Sequence, residues 1–441
     1  MRAVVAELTV PRYLATAVRS RAQDDAGWRR GGLLRVRDDV EEPALPGPRW
    51  VRLRTELAGI CGSDVGLAHA RIALTLSAYY PARRTIPGHE LVGVVEATGP
   101  QVRHLAEGDR VALDPVLSCR HRGFDPVCSS CAAGRPGTCE RFDLPGSSGC
   151  TGVGQGFDAR LGGGFGEVVV AHEDQCVAVG RTPSRRAVLL EPAAVGLHAA
   201  LRWERHGERA VVIGPGTIGL LTTAALRRLH PDLHVTVVSP DPSGDQRARG
   251  VGADRVVRGG EAAVHTLAAE DGGRVLHPDR TALPILERGV DVVYDCVGKP
   301  DTIDLALHLL RPGGTVVLVG AAGRQRVDWS LVWNRELTVR GTINAGPEPA
   351  LDGRRTCHEI AHWLADDAYP VDAMVTHLAP LGRFGAAMQV ASAGSRAGAG
   401  KVVVRPEDGP PLVGALHARE PGPPPGARAP DAAPHGRGTA S

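Results

Sequence analysis

The chain has 441 residues, a hydrophobic fraction of 43% and a formal net charge of +2. This length predicts two domains, and the near-neutral charge gives no general electrostatic reason to bind nucleic acid or an anionic membrane. No unbroken apolar stretch reaches the roughly 20 residues that span a bilayer, and the charged N-terminus lacks the apolar run of a signal peptide. We therefore expect a soluble, cytoplasmic protein whose nine cysteines serve metal binding or catalysis rather than disulfides.

The first part of the chain predicts an antiparallel β domain. Apolar and charged residues alternate from Trp50 to Leu57, which is the pattern of a half-buried strand. That strand would deliver the chain to Cys61, and loops between strands would carry the functional side chains. The strands predicted in this region are residues 1–10, 50–57, 90–98 and 111–113, with residues 20–48 as a charged connection.

Cys61, His89 and Glu90 are the first candidate functional residues. A thiolate, an imidazole and a carboxylate are ligand types that zinc binds, and a catalytic zinc keeps one position open for water or substrate. Ser63 follows the cysteine by two residues, close enough to contact whatever occupies that position. An isolated cysteine or histidine in an apolar stretch is more commonly a packed core residue, so the prediction of a catalytic zinc depends on the whole constellation.

Four further cysteines lie within 21 residues, namely Cys119, Cys128, Cys131 and Cys139. Four thiolates among glycines and prolines suit a closed, tetrahedral structural zinc. Eight residues separate the first two cysteines, and closing that loop costs little because loop entropy grows slowly with length. The alternatives are a redox pair of Cys128 and Cys131, which lacks a surrounding βα unit, and a zinc ribbon that touches nucleic acid, which would need a basic surface.

The pattern changes after residue 209, where apolar runs alternate with helix-like stretches. Six such runs separated by helices predict a parallel, doubly wound sheet. The turn after the first run reads Gly214-Pro215-Gly216-Thr217-Ile218-Gly219 and opens a predicted helix, which is the context of a dinucleotide-binding turn. The predicted strands are Arg209–Ile213, His234–Val238, Asp254–Val257, Val290–Asp295, Thr315–Val319 and Glu336–Val339.

These motifs, taken in order, resemble one family. Cys61-Gly62-Ser63-Asp64 is followed by Gly88-His89-Glu90, by spaced glycines and by Gly-Asp-Arg-Val at residues 108–111. The cysteine cluster and the glycine turn follow these motifs in the chain. Together they resemble the zinc-dependent medium-chain dehydrogenases of the alcohol dehydrogenase superfamily. The sorbitol- and threonine-dehydrogenase-like branch is the most similar. The resemblance covers residues 50–404 well and the first 49 residues loosely.

The resemblance implies an oxidoreductase that transfers a hydride between a nicotinamide cofactor and a secondary alcohol or polyol, of the sugar-alcohol or amino-alcohol type. It implies two zinc ions per chain and places Glu191 at the catalytic one, leaving open whether Glu90 or Glu191 is the third ligand. Ser63 would carry the departing proton, and Gly66 stands where many relatives continue the relay with a histidine. A homo-oligomer, dimer or tetramer, is also expected.

The fold class implied is α/β, with a Rossmann sheet and a discontinuous, mainly antiparallel, GroES-like catalytic domain. Residues 1–200 would form the first catalytic segment, with a structural-zinc lobe at about 114–142. Residues 201–344 would form the dinucleotide-binding domain, and residues 345–405 would complete the catalytic domain. Residues 406–441 are rich in Pro, Gly and Ala without periodicity, which predicts a disordered tail.

The choice of nicotinamide cofactor depends on the end of the second predicted strand. An acidic residue about 20 positions beyond the last glycine of such a turn holds the ribose hydroxyls of NAD. Ser239 occupies that position here, and Asp241 follows two residues later. Asp241 would repel the 2′-phosphate of NADP, so the sequence favours NAD and leaves NADP open. By resemblance, the loops that carry Val297 and Val319 would line the nicotinamide side of the cleft.

Two other functions compete with this interpretation. One is a zinc-independent quinone-type reductase of the same fold, which the metal-binding residue types disfavour. The other is a non-catalytic protein that binds zinc or a nucleotide. Metal analysis together with reduction of a nicotinamide cofactor by added alcohol would separate the three.

Overall fold

The structure, a computed structural model, describes residues 1–204, 207–279 and 283–421. No helix in those ranges is long and apolar enough to cross a membrane. The strands are β1 Ala3–Glu7, β2 Leu34–Arg37, β3 Trp50–Gly59, β4 Arg84–Thr85, β5 Glu90–Thr98, β6 Arg110–Leu113, β7 Val168–His172, β8 Cys176–Ala178, β9 Arg209–Ile213, β10 His234–Val238, β11 Arg255–Val257, β12 Val275–Leu276, β13 Ile285–Leu286, β14 Val290–Asp295, β15 Leu310–Leu318, β16 Thr338–Gly341, β17 Val375–Pro380 and β18 Lys401–Arg405.

Helices connect and cover these strands. They are α1 Val10–Arg19, α2 Gly62–Ala68, α3 Ser129–Ala132, α4 Ser184–Ala187, α5 Leu190–Ala200, α6 Thr217–Leu229, α7 Asp245–Gly250, α8 Glu261–Asp271, α9 Pro300–Leu309, α10 Ser330–Asn334, α11 Thr356–Ala365 and α12 Phe384–Ala393. Short 3₁₀ helices lie at Leu74–Tyr79, Pro136–Thr138, Glu173–Gln175, Pro242–Gly244, Pro349–Leu351, Leu381–Arg383 and Gly394–Ala397.

Six parallel strands form one sheet in the order β11-β10-β9-β14-β15-β16. Counted along the chain from β9, this is the doubly wound order 3-2-1-4-5-6. Both faces of the sheet are covered, because Val212 of β9 packs with α5 and α6 while Val211 packs with α8 and α9. A parallel sheet buried on both faces explains why its strands read as continuous apolar runs. The predicted Rossmann sheet is confirmed.

The second large sheet has the order β17-β18-β3-β5-β6-β8, with β7 also paired to β3. Strand β18 runs antiparallel to β3, with Val403 opposite Gly59 and Val404 opposite Ala58. The chain therefore returns from the parallel sheet to complete the first one. A smaller antiparallel sheet has the order β2-β1-β4. The mainly antiparallel β domain of the predicted α/β fold is confirmed as well.

Three local expectations require correction. The first strand ends at Glu7, and helix α1 begins at Val10 within the predicted strand region. Glu56, expected on a solvent face of β3, is fully buried, and Arg110 donates to both of its carboxylate oxygens at 2.6 and 2.9 Å. Residues 406–421 lie against the body rather than forming a disordered tail, since Val413 and Arg419 make backbone hydrogen bonds to it. Residues 422–441 of that predicted tail lie outside the described residues.

Candidate active site

Cys61, His89 and Glu90 converge at the junction of β3, α2 and β5. Each offers one ligand atom, and these atoms all lie within 4.8 Å of one another. Cys61 directly precedes α2, and Glu90 opens β5. Gly88 allows this approach because it has a φ of +96° and because a Cβ there would come within 2.8 Å of the Phe165 backbone nitrogen. The structure thus brings together the three residues predicted to bind a catalytic zinc.

Burial and charge make these groups suited to a cation. Burial, and then the Glu90 carboxylate, raise the pKa of the Cys61 thiol to about 12. Burial alone would lower the pKa of His89, but the carboxylates of Asp64, Glu191 and Glu90 raise it overall. The His89 Nδ1 atom is buried without a hydrogen-bond partner among the described residues. A divalent cation would stabilise the thiolate and use a free imidazole nitrogen, so the donor set fits zinc.

Glu90 has a partner that the sequence analysis did not identify. Lys401 Nζ donates to the two Glu90 carboxylate oxygens at 2.7 and 2.5 Å and to the Ile60 carbonyl oxygen at 3.1 Å. Both side chains are buried. Lys401 begins β18, and the pairing of β18 with β3 places it beneath the cluster. A lysine that opens an otherwise apolar strand was the available signal, since a buried charge requires a partner.

Glu191 lies near the cluster but outside the group of three converging ligand atoms. It belongs to the first turn of α5 and is buried. Burial raises the pKa of its carboxyl group to about 8, opposed by His89 and reinforced by Glu90 and Cys61. These mutual effects place Glu191 within electrostatic reach of the predicted ligands.

Ser63 and Asp64 occupy the first turn of α2 with different environments. The Ser63 hydroxyl oxygen is shielded from solvent, and its interaction with the Cys61 thiol opposes the rise in that thiol's pKa. Asp64 Oδ2 accepts a hydrogen bond from the Cys61 backbone nitrogen at 2.9 Å, so this carboxylate fixes the turn. His69 ends the same helix, where its Nε2 lies 3.2 Å from Ser392 Oγ and its ring packs edge-on against Trp28.

The four cysteines of the second cluster also converge. Their sulfur atoms lie within 4.8 Å of one another, with Cys119 and Cys139 3.6 Å apart and Cys128 and Cys139 4.0 Å apart. Four sulfurs at about 2.3 Å from one zinc would be about 3.8 Å apart in a tetrahedron. Although burial opposes it, backbone N–H groups of Cys131 and Glu140 lower the pKa of Cys128 to about 6. The donor set fits a closed zinc site, and Cys119 reaches it despite its longer spacing.

Two basic residues beside this cluster are bonded to the protein itself. Arg122 is fully buried and donates to the Leu117 carbonyl oxygen at 2.8 Å. Arg141 donates to the Pro126 carbonyl oxygen at 2.8 Å and lies 5.1 Å from the centre of the Phe124 ring. Both guanidinium groups serve the local fold.

The glycine turn lies between β9 and α6, as predicted. Gly214 has a φ of +99°, and a Cβ at Gly219 would lie 1.9 Å from the Gly214 carbonyl oxygen, so both positions require glycine. At Gly216, the residue that precedes α6, a Cβ would meet nothing within 4 Å. That open space faces the start of the helix formed by Thr217 and Ile218, where backbone N–H groups can meet a pyrophosphate.

The other predicted cofactor residues lie along the same edge of the parallel sheet. Gly214 and Val297 line a cavity of about 680 Å³ together with Pro240. Val319 lies on the neighbouring loop, where its backbone nitrogen donates to the Asp295 carbonyl oxygen at 2.9 Å. The Asp295 carboxylate in turn accepts from the Val297 nitrogen at 3.0 Å, which holds the two loops together.

Ser239 and Asp241 follow β10, and their side chains form hydrogen bonds with other groups of the protein. Ser239 is buried, and its hydroxyl donates to the Asp241 carbonyl oxygen at 2.6 Å. The Asp241 carboxylate accepts from the Ser243 nitrogen and from Ser395 Oγ, each at 2.9 Å. These bonds lower the pKa of Asp241, with the Ser243 and Ser395 hydroxyl groups as the main causes. The carboxylate is therefore held ionised beside the sheet edge.

Comparisons with known proteins agree with this arrangement. Two family models match, "Alcohol dehydrogenase GroES-like domain" over residues 47–181 and "Zinc-binding dehydrogenase" over residues 217–364. The chain is 31% identical to L-idonate 5-dehydrogenase of Vitis vinifera over 76% of this chain and 82% of the relative. It is 32% identical to sorbitol dehydrogenase of Arabidopsis thaliana over 67% of this chain and 74% of the relative.

A solved structure extends the likeness to the fold. A zinc-binding dehydrogenase from Sinorhizobium meliloti 1021, bound to NADP, matches with a TM-score of 0.65 and 28% identity over 85% of this chain and 96% of that chain. Fold, metal-binding residue types and glycine turn together define a zinc- and nicotinamide-dependent oxidoreductase that acts on alcohols. The chain belongs to the zinc-dependent medium-chain dehydrogenase family.

Proposed function

We propose that Cys61, His89 and Glu90 bind the catalytic zinc of a dehydrogenase that oxidises a secondary alcohol or polyol, or reduces the matching ketone. The convergence of their three ligand atoms within 4.8 Å carries this proposal. The ion supplies a Lewis acid that favours loss of the proton from the substrate hydroxyl group. The names of the relatives, which include idonate and sorbitol dehydrogenases, support an alcohol of this kind.

The two carboxylates would have different roles. An ionised carboxylate has about four acceptor sites, so the bonds from Lys401 leave Glu90 able to bind a metal. Lys401 fixes the Glu90 carboxylate in place. Glu191 would act beside the ligands, through its charge on His89 and on whatever occupies the open position. Measured zinc content distinguishes the roles, since Glu90→Gln should lose more of the catalytic zinc than Glu191→Gln.

Ser63 is proposed to relay the substrate proton, its oxygen accepting that proton as its own proton passes on toward solvent. Its hydroxyl oxygen is shielded from solvent and close enough to the Cys61 thiol to oppose the rise in that thiol's pKa, which places it at the cluster. His69 is tied to Ser392 and Trp28, which argues against its continuing the relay.

Cys119, Cys128, Cys131 and Cys139 would bind a second, structural zinc, giving two ions per chain. The S···S distances of 3.6 and 4.0 Å support this assignment. In support of the proposed domain division, the six parallel strands all fall between residues 209 and 341, and β18 returns to β3.

NAD is the proposed cofactor. Asp241 is held ionised by Ser243 and Ser395 near the end of β10, where a 2′-phosphate would add a second negative charge. Arg258, a cation that acts on Asp241, is already paired with the Asp245 carboxylate at 3.0 Å. Arg247 donates to the carbonyl oxygens of Gly398 and Ala399.

The test combines metal analysis with turnover. Protein purified without chelator should reduce NAD when a secondary alcohol or polyol is added, and Cys61→Ala should abolish this. Cys176→Ala is the matched control, because Cys176 is a buried cysteine outside both clusters. Full activity in Cys61→Ala would favour the zinc-independent reductase. Binding of zinc and NAD without turnover on any alcohol would favour the non-catalytic alternative.

A further inference from the structure

The N-terminal helix α1 borders a cavity whose lining includes Phe157, a neighbour of His89 in the proposed catalytic cluster. The cavity has a volume of about 370 Å³ and lies between α1, α2 and the segment that follows α2. Helix α1 precedes residue 47, where the match to the family model begins. Its lining residues include Val10, Tyr13, Leu14, Leu67, Ile72 and Phe157.

The inner end of the cavity reaches the cluster through aromatic rings. The Phe157 ring lies 5.5 Å from the His89 ring, and the Tyr80 ring lies 4.8 Å from Phe157. Burial, and then the Cys61 thiol, raise the pKa of the Tyr80 hydroxyl group. Leu67 faces the cavity from α2, four residues after Ser63, so the two side chains share one face of that helix.

Helix α1 presents an apolar face to this space. Val10, Tyr13 and Leu14 recur at helical spacing, and Val10 and Leu14 are 61% and 52% exposed. The Tyr13 hydroxyl group donates to the Ile72 carbonyl oxygen at 2.6 Å, and this bond fixes α1 to the segment that follows α2. Apolar side chains this exposed at the mouth of a cavity are suited to covering an apolar ligand.

We infer that α1 selects the substrate, and that the preferred alcohol is a secondary alcohol with an apolar chain or ring rather than a polyol. The reacting carbon would lie at the cluster and its apolar substituent would lie between Phe157 and Leu14. Hydroxyl groups of a polyol would lose water there against a lining that is mainly apolar, with Ser77, Arg83 and Thr85 as polar exceptions. This inference rests on the proposed function and narrows its substrate class.

The first experiment compares kcat/KM along the series 2-propanol, 2-butanol and 2-hexanol with the values for sorbitol and xylitol. Each added methylene should raise kcat/KM by about fourfold as it is buried, and both polyols should fall below 2-hexanol. A polyol that equals or exceeds 2-hexanol overturns the inference but supports the proposed function. No cofactor reduction by any of these alcohols overturns both.

Variants test the part played by the helix. Leu14→Asn should lower the ratio of kcat/KM for 2-hexanol to that for 2-propanol. Val18→Asn should leave this ratio unchanged, because Val18 is 66% exposed on the same helix but is absent from the cavity lining. Ala73→Trp, which fills the cavity from the opposite wall, should lower the same ratio about tenfold. Equal ratios in all three variants and the parent protein would overturn the assignment of α1.

Discussion

Lys401 and Glu90 form a buried ion pair across 311 positions of the chain, with Nζ 2.7 and 2.5 Å from the two carboxylate oxygens. The pair joins the last strand of the return segment to the His-Glu motif. Lys401 thereby places a positive charge beside the proposed ligands and holds one of them, Glu90, in place. The lysine is thus a positioning residue for the proposed metal site.

Lys401→Met should destabilise the zinc-free protein more than the zinc-loaded protein. Removing one partner of a buried pair costs about 3–5 kcal/mol, because the other charge is left uncompensated. Bound zinc would replace the lost ammonium charge and reduce that cost. Thermal unfolding with and without chelator measures the difference, and Lys401→Arg is the control that retains the charge. Equal losses in both forms would show that the pair is independent of the metal.

Cys61→Ala and Cys131→Ala should each remove one zinc from a starting content of two, with different consequences. Cys61→Ala should abolish turnover and leave unfolding nearly unchanged. Cys131→Ala should lower the melting temperature strongly, since structural zinc binding is worth about 10–16 kcal/mol in small zinc peptides. Elemental analysis and calorimetry make the comparison. Normal melting and normal activity in Cys131→Ala would refute the structural site.

Ser63→Ala should lower kcat by roughly 10²–10⁴, the range for a positioned proton-transfer group, without changing zinc content. Ser63→Thr, which keeps a hydroxyl group, should recover part of the rate. His69→Gln should have little effect, because His69 is engaged by Ser392 and Trp28. Steady-state kinetics and metal analysis are sufficient. If Ser63→Ala stays within threefold of the parent protein, the proton leaves by another route.

Asp241→Asn should improve kcat/KM for NADP relative to NAD. Two charges about 5 Å apart at an effective dielectric constant of 20 repel by roughly 3 kcal/mol, and salt lowers this. Asp245→Asn should shift the preference in the same direction, because it releases Arg258 from its carboxylate partner. Kinetics with both cofactors at fixed ionic strength provide the test. A parent protein that prefers NADP would contradict the assignment.

The parts of the fold that the sequence predicted are those with strong local signals. Strand β9, the glycine turn and helix α6 are adjacent in the chain, and Gly214 and Gly219 each have a steric requirement for glycine. The cluster at Cys61 and His89 was predicted because residue type and order restrict the chemistry. Local pattern and local geometry agree at these places.

The remaining features depend on tertiary contacts that no local pattern contains. Lys401 opens a short apolar strand, and only the pairing of β18 with β3 buries it beside Glu90. Glu56 fits a solvent face by alternation, but Arg110 on another strand compensates its burial. Helix α1 was missed because Pro11 reads against a helix, although proline is tolerated in the first turn.

The segment after Arg405 gives the last prediction, which reverses the expectation of a dispensable tail. The Ser184 nitrogen donates to the Val413 carbonyl oxygen at 2.8 Å, and the Val413 nitrogen donates to Ser184 Oγ at 2.7 Å. Further along, the Arg419 nitrogen donates to the Thr376 carbonyl oxygen at 2.9 Å. The same Ser184 hydroxyl contacts Glu56, so the segment covers the buried Glu56–Arg110 pair.

A chain that ends at Arg405 should therefore be less stable than one that ends at Pro421, which retains all of these contacts. Three hydrogen bonds at about 0.5–1.5 kcal/mol each predict a loss of about 1.5–4.5 kcal/mol. Denaturant unfolding of the two truncated proteins beside the full chain measures it directly. Ser184→Ala in the full chain should reproduce part of the loss, because it removes the hydroxyl shared by Val413 and Glu56. Indistinguishable unfolding of the two truncated proteins would show that residues 406–421 add nothing to the stability of the body.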